Sequence, residues 1–181
     1  MSSTTTISLA LFARHHKGDP IALRSYHIAI VVSSGPPQGI RPERLYQISN
    51  ENGPWEVMHR DTSPVVLPGT GQFIGCLVIG TVSAYNVTQT GSWISDNFPA
   101  TSQPSDWLHN GQWNCVSWAF NVLSVMGEFE MLQPVISSTH LDRLYTLMLF
   151  AANQMEDDRV ERDRTGLIKM TLDHRNLSSR T

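Results

Sequence analysis

Asn114-Cys115-Val116-Ser117-Trp118-Ala119-Phe120 is the stretch on which the fold turns, because a polar residue gives way there to a helical pattern. From Cys115 to Met126 the apolar residues Val116, Ala119, Phe120, Leu123 and Met126 recur at helical spacing, and Gly127 is expected to end the run. Asn114 is the expected N-cap, which makes Cys115 the first helical residue. A thiol placed there gains from the helix dipole and from free backbone N–H groups, both of which favour the thiolate. The backbone N–H of Cys115 is also placed to serve an oxyanion.

Upstream of this helix the period changes to that of strands. Thr6–Phe12 begins with alternation and runs into Arg14-His15-His16-Lys17-Gly18-Asp19-Pro20, whose last three residues signal a turn. Tyr26-His27-Ile28-Ala29-Ile30-Val31-Val32 is rich in β-branched residues and stops at Ser33-Ser34-Gly35-Pro36-Pro37. Arg44–Ser49 and Trp55–Arg60 form two more expected strands, with Asn52-Gly53-Pro54 turning between them. Phe73–Val82 reads as a longer, buried strand. Residues 85–110 are rich in Ser, Thr, Asn and Pro and read as irregular. With Trp93, Phe98 and Trp107 among them, part of this segment is expected to fold over the site. Downstream, Ser138–Asp157 is an expected helix with Leu141, Leu144, Tyr145, Met148, Leu149 and Ala152 on one face. The expectation is a single α+β domain over residues 1–157, its mostly antiparallel sheet packed against the helix that carries Cys115. Residues 158–181 are expected to form a polar, frayed tail.

The totals narrow the function classes. A chain of 181 residues with 40% hydrophobic content encloses a real core. Its net charge of -3 supplies no electrostatic argument for nucleic acid or an anionic membrane as partner. No apolar run approaches the ~20 residues of a membrane span, and Ile7–Ala13 is too short for a signal-peptide core, so the expected location is cytoplasmic. The two cysteines, Cys76 and Cys115, come without a short-spaced His/Cys cluster, so neither a metal site nor a cofactor is expected. Gly69-Thr70-Gly71 reads as a turn rather than a phosphate loop, and Asn86-Val87-Thr88 matches a glycosylation sequon.

A thiolate nucleophile needs a base, and His27 sits inside an otherwise apolar strand where an imidazole can be held toward a helix terminus. Taken singly, a cysteine in an amphipathic helix or a histidine in a strand is more often a plain core residue. Cys76, within Gly75-Cys76-Leu77-Val78-Ile79, is the control: it should only pack the core.

The order of these elements resembles a known arrangement. A histidine starting an aliphatic strand, a polar residue on the next strand and a distant Asn-Cys opening a helix are similar to the permuted papain-like cysteine superfamily. That superfamily includes the lecithin:retinol acyltransferase and phospholipase/acyltransferase branch related to NlpC-type peptidases. The residues carrying the resemblance are Tyr26–Val32, Leu45-Tyr46-Gln47-Ile48-Ser49 and Asn114–Phe120, and Cys115-Val116-Ser117-Trp118 fits the Cys-x-x-Trp helix of small fungal proteins of this type. The resemblance implies Cys115 as nucleophile, His27 as general base and Gln47 as the residue that orients the imidazole. His59 is the alternative orienting group, and Trp113, Gln112, His109 and Trp118 are expected to line the substrate pocket. The acyltransferase branch commonly has a second histidine where Gln47 stands, and Glu-His-Phe where Val116-Ser117-Trp118 follows the cysteine, so its lipid substrates do not carry over.

The implied activity is acyl transfer or hydrolysis on an amide, ester or thioester of a small-molecule or acyl/peptidyl substrate. A second expectation is a non-hydrolytic or cyclase-like member acting with partner enzymes in a natural-product pathway, suggested by Trp93, Trp107 and Trp113. A third is a binding module that has lost activity.

Overall fold

The computed structural model describes residues 4–14, 25–35, 43–50, 53–62, 72–101, 111–162 and 169–171. Its architecture is α+β with a mostly antiparallel sheet. Strand β1 (Thr5–Arg14) lies at the centre, flanked by β2 (Ser25–Ser34) and β7 (Gln72–Val82), both antiparallel to it. β3 (Glu43–Tyr46) extends the sheet beyond β2, and β6 (Arg60–Thr62) extends it beyond β3. β4 (Ile48–Ser49) and β5 (Glu56–Val57) continue that hairpin as a separate two-stranded ribbon. β8 (Leu132–Gln133) pairs with β7.

Alternation divides the side chains of the central strands between two faces. Ile7, Leu9 and Leu11 of β1, with Tyr26, Ile28 and Ile30 of β2, enter the larger hydrophobic cluster. Helix α2 (Cys115–Glu128) and helix α3, which starts at Leu141, pack into that cluster through Phe120, Leu123, Met126, Leu144 and Met148. Ala10, Phe12, Ala29, Val31, Leu45 and Cys76 form a smaller cluster on the opposite face. β1 is buried along its whole length except at its last residue, Arg14, as a strand packed on both faces must be.

Several features differ from the sequence expectation, among them the strands expected over Arg44–Ser49 and Trp55–Arg60, which are interrupted at Gln47 and at Met58-His59. Residues 87–97, expected to be irregular, form helix α1 (Val87–Asn97). Its start is fixed by a capping box in which the Asn86 side chain accepts from Gln89 N–H and the Gln89 side chain accepts from Asn86 N–H. Gly127 does not end α2, which continues to Glu128; a Cβ at Gly127 would strike the Ile136 carbonyl, so glycine there serves close packing. Finally, α3 runs from Leu141 to Arg162, past residue 157, and β9 (Lys169–Thr171) pairs in parallel with β7. Part of the expected tail therefore belongs to the sheet. No helix among the described residues is long and apolar enough to cross a membrane.

Candidate active site

Asn114 caps α2 as its sequence position requires: its Oδ1 accepts from Val116 N–H at 2.9 Å and from Ser117 N–H at 3.1 Å. The Ser117 hydroxyl donates to the Gln112 carbonyl at 2.7 Å, tying the first turn to the segment before it. Cys115 is thereby fixed in the first turn, 6% exposed, with its side chain in the larger cluster beside Ile28. Burial pushes its thiol pKa up. Against that act the Ile28 backbone N–H, the Arg14 guanidinium and the N–H groups of Val116 and Cys115 itself, all of which favour the thiolate. Burial wins, so the resting group is a thiol.

His27 is fully buried and pairs across the ladder with Phe12, whose ring centroid lies 5.9 Å from its own. Its Nε2 lies 2.6 Å from Gln47 Oε1, and its Nδ1 lies 3.1 Å from Arg14 Nη2. A guanidinium only donates, so Nδ1 must accept from it and Nε2 must carry the proton that Gln47 Oε1 accepts. Burial lowers the imidazole to about 4; the Gln47 bond opposes this and the Arg14 charge adds to it. His27 is thus a neutral imidazole with one tautomer selected.

Gln47, rather than His59, is the partner that orients His27. Gln47 sits between β3 and β4, fully buried, and its carbonyl accepts from Met58 N–H at 2.9 Å. Arg14 escapes a sequence reading because it stands where an alternating strand meets a turn signal, and only the β1–β2 register brings it to His27.

The thiol and the imidazole are neighbours along β2 but do not meet. Ile28 points into the larger cluster with Cys115, while His27 points with Phe12 to the opposite face. Among the described residues no hydrogen bond joins Cys115 to His27. His59 stands on the Cys115 side, its ring 4.8 Å from that of Tyr46 and 6.1 Å from that of Trp118.

The expected pocket residues have separate fates. Trp118 is 1% exposed, and its indole N–H donates to the Phe98 carbonyl at 3.3 Å. Trp113 is half-buried and donates to the Ala100 carbonyl at 2.9 Å, while Gln112 is exposed. His109, together with Trp107 and His15-His16, lies outside the described residues. Cys76 packs with Phe12, Val31 and Leu45, as a core cysteine should, and neither cysteine is in a disulfide. Among the described residues no group of three or more His, Cys, Asp or Glu side chains is arranged to hold a metal ion. Comparison with protein-family models, curated proteins and solved structures finds no match to this chain.

Proposed function

We propose that this chain is a papain-like, cysteine-dependent acyl-transfer protein with Cys115 as nucleophile and His27, oriented by Gln47, as proton acceptor. The observation that carries the reading is the set of backbone N–H groups, from Ile28, Val116 and Cys115, that favour the Cys115 thiolate at the start of α2. They are permanent parts of the backbone, whereas the burial that opposes them is lost once the helix terminus opens to substrate. In the reaction the Cys115 S–H proton passes to His27, and the sulfur bonds to the carbonyl carbon of an amide, ester or thioester. The leaving group then departs with that proton, and water or another acceptor cleaves the acyl–sulfur bond. His27 serves as base only after the Arg14 N–H has left Nδ1 and the ring has access to the thiol side of β2.

The test is reactivity followed by trapping. Iodoacetamide is expected to label Cys115 at least ~tenfold faster than Cys76 in the folded protein, because opening of the α2 terminus relieves the burial of Cys115 and leaves the backbone N–H groups that favour its thiolate, whereas Cys76 lies inside the smaller core cluster. An activated ester should leave an acyl group on Cys115 by mass spectrometry, with none in Cys115→Ala. Equal, slow labelling of the two thiols would sink the proposal.

A specific observation favours a second reading, a binding module without turnover. Both nitrogens of His27 are engaged, and the ring lies across β2 from the thiol. In that case His27, Arg14 and Gln47 form a buried polar cluster that fixes the sheet. His27→Ala would then lower stability while leaving the Cys115 labelling rate in the folded state unchanged.

A further inference from the structure

Of Arg14, His27 and Gln47, only Arg14 is open to solvent. His27 and Gln47 are fully buried, whereas Arg14, the last residue of β1, is half-buried. It stands opposite Ser25 in the ladder, at the end of the sheet where β2 begins, and His27 follows two residues later on β2. Its Nη2–H donates to His27 Nδ1 at 3.1 Å. A neutral imidazole has one accepting nitrogen, so this bond occupies the only ring atom able to receive a proton. Gln47 Oε1, 2.6 Å away, accepts the proton on Nε2. The ring is thus in the tautomer a base needs, with its accepting lone pair covered by a guanidinium.

The charge of Arg14 is felt at both reacting groups. It disfavours the protonated form of His27 and favours the thiolate of Cys115. A group that pairs with Arg14 therefore acts on both. An uncharged imidazole is a weak partner for a guanidinium. A carboxylate is a stronger one, because it is charged and offers two oxygens at the spacing of two guanidinium N–H groups. Arriving from solvent, it takes the N–H away from Nδ1 and offsets the charge that depresses the ring. A phosphate dianion suits the place less, since bringing two charges beside the rings of Phe12 and His27 sacrifices more hydration.

We propose that Arg14 is a carboxylate receptor whose occupation releases His27 Nδ1. Resting on the acyl-transfer reading above, this makes the substrate an acyl donor that carries a carboxylate besides its reacting amide, ester or thioester. Pairing with that carboxylate meets the first of the two conditions under which His27 serves as base, and the Cys115 proton then passes to the vacated Nδ1. Donors without the carboxylate leave the guanidinium on the ring, so selection of the substrate and exposure of the base are one event.

The test has a binding arm and a kinetic arm. In the first, the full chain carrying Cys115→Ala and 15N-labelled histidine is titrated with the monomethyl esters of succinic, glutaric and adipic acid. Their dimethyl esters and inorganic phosphate are the contrasts. At least one half-ester is expected to move His27 Nδ1 saturably from the shift of a hydrogen-bonded acceptor to that of a free one, and the contrasts are not. In the second, the 4-nitrophenyl half-ester of that diacid should acylate Cys115 at least about tenfold faster than the 4-nitrophenyl ester of the monoacid of equal length. Arg14→Gln should bring the two rates to near equality, and Arg14→Lys should fall between. The proposal is overturned if no half-ester moves Nδ1, if phosphate moves it and the half-esters do not, or if Arg14→Gln keeps the preference. Should a half-ester move Nδ1 while no ester acylates Cys115, Arg14 stands as a carboxylate receptor and the acyl-transfer reading falls.

Discussion

His27 and His59 lie on opposite sides of the same sheet, and burial lowers each to about 4. Their surroundings nevertheless differ. His27 has a partner on each nitrogen, Arg14 on one and Gln47 on the other, and lies against Phe12. His59 rests against the rings of Tyr46 and Trp118 with neither nitrogen matched. Lowering by burial therefore acts on one ring that is tied into the fold and on another that is only enclosed by it. Titration alone does not distinguish a buried ring whose hydrogen bonds are met from one whose hydrogen bonds are not.

The contrast is broken or sharpened most strongly by removing His27. His27→Ala opens a void beside Phe12 and strips the buried Gln47 oxygen and the Arg14 N–H of their shared partner. It is expected to cost about 3–4 kcal/mol, read from urea unfolding. A loss under ~1 kcal/mol would show that this cluster contributes little to the fold.

Acid gives the next largest effect. An unfolded histidine titrates near 6.5, whereas folded His27 titrates at about 4. Between those values the unfolded chain holds a proton that the folded chain lacks. The stability contribution is thus complete above pH ~6.5 and drains away as pH falls toward ~4. For His27 the drop approaches about 3 kcal/mol, and His59 adds to it in the same direction. Urea midpoints measured from pH 7 to pH 4 should follow that slope, and a flat profile would contradict the burial of both rings.

The smallest effect has the opposite sign. His59→Phe replaces two unmet nitrogens with carbon and keeps a ring between Tyr46 and Trp118, so a gain of about 1 kcal/mol is expected. The variant should also show a shallower acid slope than the parent chain. Destabilisation of similar size would mean that His59 is matched in solution and the contrast with His27 disappears.

The sequence exposes those parts of the molecule where one signal acts alone. β1, β2 and β7 are apolar and β-branched, and the N-cap at Asn114 is a local hydrogen-bonding rule, so they read directly. The pairing of His27 with Gln47 is reached only through the family resemblance, which implies a polar residue on the strand after the histidine, and β3 does lie beside β2. α1 does not read, since its helix begins with the polar run Asn86-Val87-Thr88-Gln89-Thr90-Gly91. The glycine lowers helix propensity for a tertiary reason, the Tyr46 hydroxyl. Gly127 misleads in the same way. Arg14 and the relative facing of His27 and Cys115 depend on register between distant segments, and no local pattern in a single sequence encodes register.

The central place of β1 has a consequence for the order in which the chain is made. Its first partner, β2, follows within a few tens of residues, but its second, β7, ends only at Val82. At ~5–20 residues per second of synthesis, the nascent chain spends a few seconds with β1 paired on one side only. During that interval Ile7, Leu9 and Leu11 stand along an open edge, the kind of surface that recruits a strand from another molecule. The hazard of misassembly is therefore concentrated in a short window of translation, and it closes when β7 arrives.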